Sequence, residues 1–83
     1  MTKDEFNTDE GFDAAYTDYH QTVFTKIHDV LQNFEDASDL TEEVFIIAWI
    51  KRANFDSEKG SLGLWLLQIV GEVLRQFERR KKR

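Results

Sequence analysis

The chain contains no proline and only four glycines, Gly11, Gly60, Gly63 and Gly71, so almost nothing along its 83 residues interrupts a helix. Its apolar residues repeat at the matching interval. Phe12, Tyr16, Tyr19, Val23, Ile27, Val30 and Phe34 follow one another in steps of three and four, which marks one face of a long first helix ending near Asn33. A short polar break follows. Asp36 or Ser38 then stands where a second helix needs its cap, and Asp39, Glu42 and Glu43 put negative charge in its first turns, where the helix dipole favours it. Ala37, Leu40, Val44, Ile47 and Ala48 form the core-facing stripe of that helix. The run from Val44 to Ile50 is apolar on every side, and a buried strand is the competing assignment. It fails because Glu42-Glu43 precede the run and Lys51-Arg52 follow it with no turn signal at either end. As a helix, the run places Phe45 and Trp49 on a second face, which either meets the first helix or stays available to a partner.

Residues 54–60 form a loop, longer than the turn of a DNA-binding helix-turn-helix, and Ser61 caps a third helix. Leu62, Trp65, Leu66, Ile69, Val70, Val73, Leu74 and Phe77 supply its core face. Leu64, Leu67, Gln68, Gly71, Glu72, Arg75, Gln76 and Arg79 line the other side. The predicted fold is therefore all-α, a compact three-helix bundle over residues 12–83. A flexible acidic stretch over residues 1–11 precedes it, and a basic tail, Arg79-Arg80-Lys81-Lys82-Arg83, closes it. A chain of this length makes one domain and buries only about 60–65% of the surface its unfolded form exposes.

Charge is divided along the chain. Residues 1–43 hold twelve Asp and Glu against Lys3 and Lys26, whereas residues 44–83 hold four acids against nine Lys and Arg. Such a division suits two partners of opposite sign, or else two solvated faces that keep the protein soluble. No cysteine is present, which excludes disulfide and thiolate chemistry and fits a reducing cytoplasm. The start Met1-Thr2-Lys3-Asp4-Glu5 lacks the basic and apolar pattern of a secretion signal, and the longest apolar run is too short for a bilayer. A cytoplasmic protein with no membrane partner is expected. His20 and His28 stand eight residues apart, too far to grip one metal from a helix face. There is no Ser/His/Asp order, glycine-rich phosphate loop or zinc spacing, so the expectation is a binding module and not an enzyme, with no metal and no cofactor.

Two ordered motifs carry a family resemblance. Asp36-Ala37-Ser38-Asp39-Leu40-Thr41-Glu42-Glu43-Val44-Phe45-Ile46-Ile47-Ala48-Trp49 is followed by Phe55-Asp56-Ser57-Glu58-Lys59-Gly60-Ser61-Leu62-Gly63-Leu64-Trp65-Leu66. Together they resemble region 2 of bacterial RNA polymerase sigma factors, most closely the extracytoplasmic-function group. In that group a D-A-E-D-L-T-Q-E-V-F-x-x-A-W segment precedes F-D-P-E-R-G-S-F-x-x-W-L and a helix ending in a basic cluster. Tyr16 to Phe24 also resemble the family's first helix, and the likeness spans roughly residues 12–83.

The resemblance implies that Asp39, Glu42, Glu43, Phe45 and Trp49 dock on the clamp helices of the polymerase's largest subunit. Carboxylates beside an aromatic anchor suit a partner that presents arginines around an apolar seam. It also implies that the loop over residues 54–61 captures a base flipped from the minus-ten promoter element while the third helix tracks the exposed strand. Phe55, Lys59, Trp65, Arg75, Arg79 and Arg80 are the corresponding candidates, although the place of Trp65 in the apolar stripe favours a core role for it. Departures weaken the DNA part: Gln68, Gly71 and Glu72 stand where the family has basic residues and asparagine. The family's second domain, which recognises the minus-thirty-five element, does not follow Arg83. The expectation is either an excised domain or a natural short protein, the unmarked Met1 start favouring the latter, binding promoter DNA weakly alone, with minus-thirty-five recognition supplied by a second chain or domain such as a separate minus-thirty-five-binding sigma subunit. The competing expectation is a helical adaptor or regulator that keeps the fold and polymerase binding without promoter recognition, with an anti-sigma protein among its possible partners. A free-standing helix-turn-helix repressor is disfavoured by the long loop.

Overall fold

The computed structural model describes residues 2–81; Met1 and the last two residues of the basic tail, Lys82 and Arg83, lie outside them. Three long helices form the bundle: α2 (Asp9–Leu31), α3 (Phe34–Ile50) and α4 (Leu62–Lys81). They are joined by a one-turn helix α1 (Lys3–Phe6) in front and a 3-10 turn over Arg52–Asn54. No strand occurs among the described residues. The fold is thus the all-α bundle that the periodicity predicts, with α1 added.

The ends of the helices are set by local chemistry. Thr8 caps α2, its hydroxyl accepting from the Gly11 N–H at 3.0 Å while donating to the Glu5 carbonyl at 2.8 Å. A Cβ on Gly11 would collide with that same carbonyl, so the absence of a side chain is what lets α1 lie against the first turn of α2. Gln32 ends α2 in the left-handed conformation (φ 55°), its N–H reaching the His28 carbonyl at 2.8 Å. Asn33 then caps α3 by accepting from the Asp36 N–H at 2.9 Å. This corrects the expected cap, Asp36 or Ser38: the break is confined to Gln32 and Asn33, so α3 starts earlier and Asp36 already lies in its first turn. Ser61 caps α4 as predicted, accepting from the Leu64 N–H at 3.2 Å.

Helix α3 runs antiparallel to both neighbours. Against α2, Phe12 meets Trp49, Tyr16 meets Phe45, and Phe24 meets Phe34. Against α4, Glu43 lies beside Arg80 and Lys51 beside Glu72. Val23 and Ile27 from α2, Ala37, Val44 and Ala48 from α3, and Leu66, Val70 and Val73 from α4 are buried between them. Val30 and Phe34 depart from the predicted stripe. They are 55% and 69% exposed, because α2 ends at Leu31 and Phe34 opens α3 at the rim of the bundle, its ring resting on Phe24.

The larger departure lies at the N-terminus. In place of a flexible lead over residues 1–11, the structure has α1 and the first turn of α2. Phe6 is 1% exposed, its ring within 5.6 Å of Phe12 and 5.4 Å of both Phe55 and Trp65. A single apolar residue has no periodicity, which is why sequence pattern passes over it.

Candidate functional site

Helix α3 carries two apolar faces, as its sequence requires, and both are covered: Ala37, Leu40, Val44 and Ala48 lie in the core, and the face with Phe45 and Trp49 meets α2. Phe45 is 4% exposed, its ring edge-on to Tyr16 at 4.8 Å and to Phe12 at 6.4 Å, so it belongs to the core and does not reach the surface. Trp49 is half-buried: Phe12 meets it at 5.0 Å, and the Arg52 guanidinium stacks over its ring at 3.7 Å while donating to its carbonyl at 2.6 Å. The docking surface expected to carry both rings therefore holds at most an edge of Trp49. The reason is rotation: α2 packs on the side of α3 that carries Phe45 and Trp49. What faces solvent is the line Glu35, Asp39, Glu42, Ile46 and Ile50, each one turn from the next. Ile46 and Ile50 are 58% and 70% exposed. Sequence pattern passes over both, since in a run that is apolar all round only a neighbouring helix decides which side is covered.

Glu42 is held from α2. The Tyr16 hydroxyl donates to its Oε1 at 3.0 Å, and His20 Nε2 lies 3.8 Å from the same oxygen. Burial, and then the hydrogen bond and charge of Glu42, push the Tyr16 hydroxyl above the ordinary tyrosine pKa. Glu43 turns the other way, toward α4, with Arg80 3.8 Å from it across a groove that Asp36, Asp39, Leu40, Phe77 and Lys81 also line.

A second concavity lies between the 54–61 loop and the start of α4. It encloses about 330 Å³ and is lined by Asn54, Phe55, Asp56, Lys59, Gly60, Ser61, Leu64, Trp65 and Gln68. Phe55 is 1% exposed and packs on Phe6 and Trp65, so it is the floor under the pocket and not a free stacking surface. Trp65 is half-buried and forms a wall; Lys59 is exposed at the rim. The loop is shaped by Asp56, whose Oδ1 accepts from the Glu58 N–H at 3.0 Å and whose carbonyl accepts from the Lys59 N–H at 3.0 Å. Asn54, Asp56 and Ser61 are polar groups here that the resemblance does not single out, and Gln68, one of the departures from the family pattern, lines the pocket with them.

Along α4 the pocket continues into an exposed line of Leu64, Gln68, Arg75 and Arg79, with half-buried Gly71 between them, the two arginines beginning about 16 Å beyond Leu64 at 1.5 Å per residue. Arg80 is not on it. One residue past Arg79 means a rotation of about 100°, which carries it to the α3 side and to Glu43. Glu72 likewise points to α3, 4.0 Å from Lys51, so its carboxylate lies beside the line and is partly neutralised. The histidines sit on α2, His20 against Tyr16 and Phe45 and His28 stacked on Phe24. Among the described residues no three acidic or histidine side chains gather to hold a metal, and no helix is long and apolar enough to cross a membrane.

An acidic and apolar helix face on one side, with a pocket of about 330 Å³ leading onto arginines on another, defines a helical module with two separate surfaces. The family model for sigma-70 region 2 matches residues 15–83, and the chain belongs to that family. Region 2 is a non-catalytic domain of transcription initiation, which gives this chain a role in RNA polymerase binding and promoter melting. No curated protein and no solved structure matches the chain. The match begins at Ala15, so Phe6 and Phe12, which complete the aromatic core, precede the shared pattern.

Proposed function

We propose that the domain docks on the clamp helices of the polymerase's largest subunit through the exposed line of α3, and that the pocket beside α4 takes one unstacked base of the minus-ten element. The observation that carries the reading is the line Asp39, Glu42, Ile46 and Ile50, carboxylates continuous with uncovered isoleucines on a folded helix. An apolar surface of this kind excludes water around charged contacts, which is where binding energy concentrates. Trp65 and Leu64 offer a base an apolar wall, Asn54, Asp56, Ser61 and Gln68 offer hydrogen bonds, and Lys59, Arg75 and Arg79 lie where phosphates would pass. The domain works in the cytoplasm, resembles the extracytoplasmic-function type, and depends on a second chain or domain for minus-thirty-five recognition. An anti-sigma protein would compete for the same α3 face.

The adaptor reading is favoured by one observation: Gln68 and Gly71 leave the middle of the α4 line without charge. In-vitro transcription separates the two. Core polymerase supplied with this protein and a minus-thirty-five-binding partner is expected to initiate specifically, and either protein alone is expected to fail, because linking two weak sites raises the effective concentration of each. Specific initiation by this protein alone would remove the need for a partner. Silence in every combination, with clamp binding intact, would establish the adaptor.

The placement of the arginines makes a separate prediction. Single-strand affinity falls with salt by a slope of about 0.7 per neutralised phosphate. Arg79→Ala is expected to flatten that slope by about this amount, and Arg80→Ala by less, since Arg80 is engaged by Glu43. Salt titrations of a fluorescent oligonucleotide test this; equal effects would show that the Glu43 contact does not hold Arg80 in solution.

A further inference from the structure

We infer that Tyr16 is a positioning residue for polymerase docking, fixing from α2 the Glu42 carboxylate that α3 presents to the partner. The inference rests on the clamp-docking reading above. Glu42 has a side chain 60% exposed, and a long exposed carboxylate ordinarily samples many rotamers that binding must freeze. Here one of its oxygens is engaged from α2. The hydrogen bond from the Tyr16 hydroxyl to Oε1, at 3.0 Å, joins residues 26 apart in sequence, so it is a product of the tertiary packing and not of helix geometry. Tyr16 is itself held on two sides. Its ring stands edge-on to Phe45 at 4.8 Å and lies 4.8 Å from the His20 ring, which in turn stacks on Phe45 at 6.2 Å.

The arrangement is a relay of rigidity from the core outward: buried Phe45 fixes Tyr16, and Tyr16 fixes Glu42. It gives Phe45 a function without surface contact. Both contacts made to Glu42, from Tyr16 and from His20, fall on Oε1, so Oε2 remains available for an arginine of the partner. Burial and the adjacent carboxylate keep the phenol protonated well past neutrality, and the donor is therefore present throughout the working range.

A double-mutant cycle on the full chain tests the assignment, with the clamp-helix fragment of the polymerase's largest subunit as titrant. Tyr16→Phe preserves the ring and its packing and removes only the hydroxyl. It is expected to weaken docking roughly fivefold, with an unchanged melting temperature, and to have no further effect in a Glu42→Ala background, where no side-chain acceptor remains for the hydroxyl. Equal losses in both backgrounds would show that the hydroxyl acts generally on the fold, and would overturn the positioning role. Unchanged or tighter binding by Tyr16→Phe, with Glu42→Ala still weakened, would overturn it too while leaving the docking surface standing. If Glu42→Ala binds like wild type, Glu42 is no part of the docking face, and both that reading and this inference fall.

Discussion

Replacing Phe6 by alanine is expected to cost about 3–5 kcal/mol, the usual range for emptying a fully buried phenylalanine site. The ring is 1% exposed and touches Phe12, Phe55 and Trp65, so its removal leaves a void among three aromatic neighbours that come from α2, the loop and α4. A domain of this size has roughly 4–12 kcal/mol of stability in total, and the loss is a large fraction of it. Thermal denaturation followed by circular dichroism should show a drop of more than about 10 °C. Thr8→Ala, which removes only the α2 cap, should cost about 1 kcal/mol by comparison. A Phe6→Ala protein that melts like wild type would mean that α1 is not part of the folded unit. The consequence for function is direct, because Phe6 supports Phe55 and Trp65 and through them the floor and wall of the pocket.

The second large effect is expected on the opposite surface. Ile46→Asp and Ile50→Asp should each weaken clamp-fragment binding by at least about 2 kcal/mol, roughly thirtyfold, because each places a charge without a partner at the apolar centre of the docking line. Neither should change the melting temperature appreciably, since both side chains are already more than half exposed. Phe45→Ala should behave in the opposite manner, lowering stability first and docking as a consequence. Isothermal titration alongside thermal melts distinguishes these patterns. Retention of full affinity by both aspartate variants would show that the exposed line of α3 is not the docking face.

Much of the bundle is legible along the chain. The core stripe of α4 and the middle of that of α2, Val23 and Ile27, emerge from spacing alone, and the cap at Ser61 stands where the polar-to-apolar transition puts it. The candidate surfaces are only partly legible. Asp39, Glu42, Lys59, Arg75 and Arg79 are exposed, whereas Phe45 and Phe55 are interior and Arg80 faces α3. Each of these three residues differs from an exposed neighbour by a single position or by the path of a loop. Family resemblance transfers the residue type at such places without transferring the direction of the side chain.

The sequence by itself determines that this chain is helical, where its three long helices lie, and that acid precedes base along it. Those properties depend on backbone permissiveness and on a period of 3.6 residues, both local. Only the tertiary structure decides the rest. It selects Ile46 and Ile50 over Phe45 as the exposed apolar residues of α3, draws Phe6 into the core, ties Glu42 to Tyr16, and sets Lys51 against Glu72 and Arg80 against Glu43. The physical reason is the same in each case. A helix that is apolar on every side, or a charge that could turn either way, has no preferred direction until a neighbouring helix covers one side, and that neighbour lies far away in the sequence.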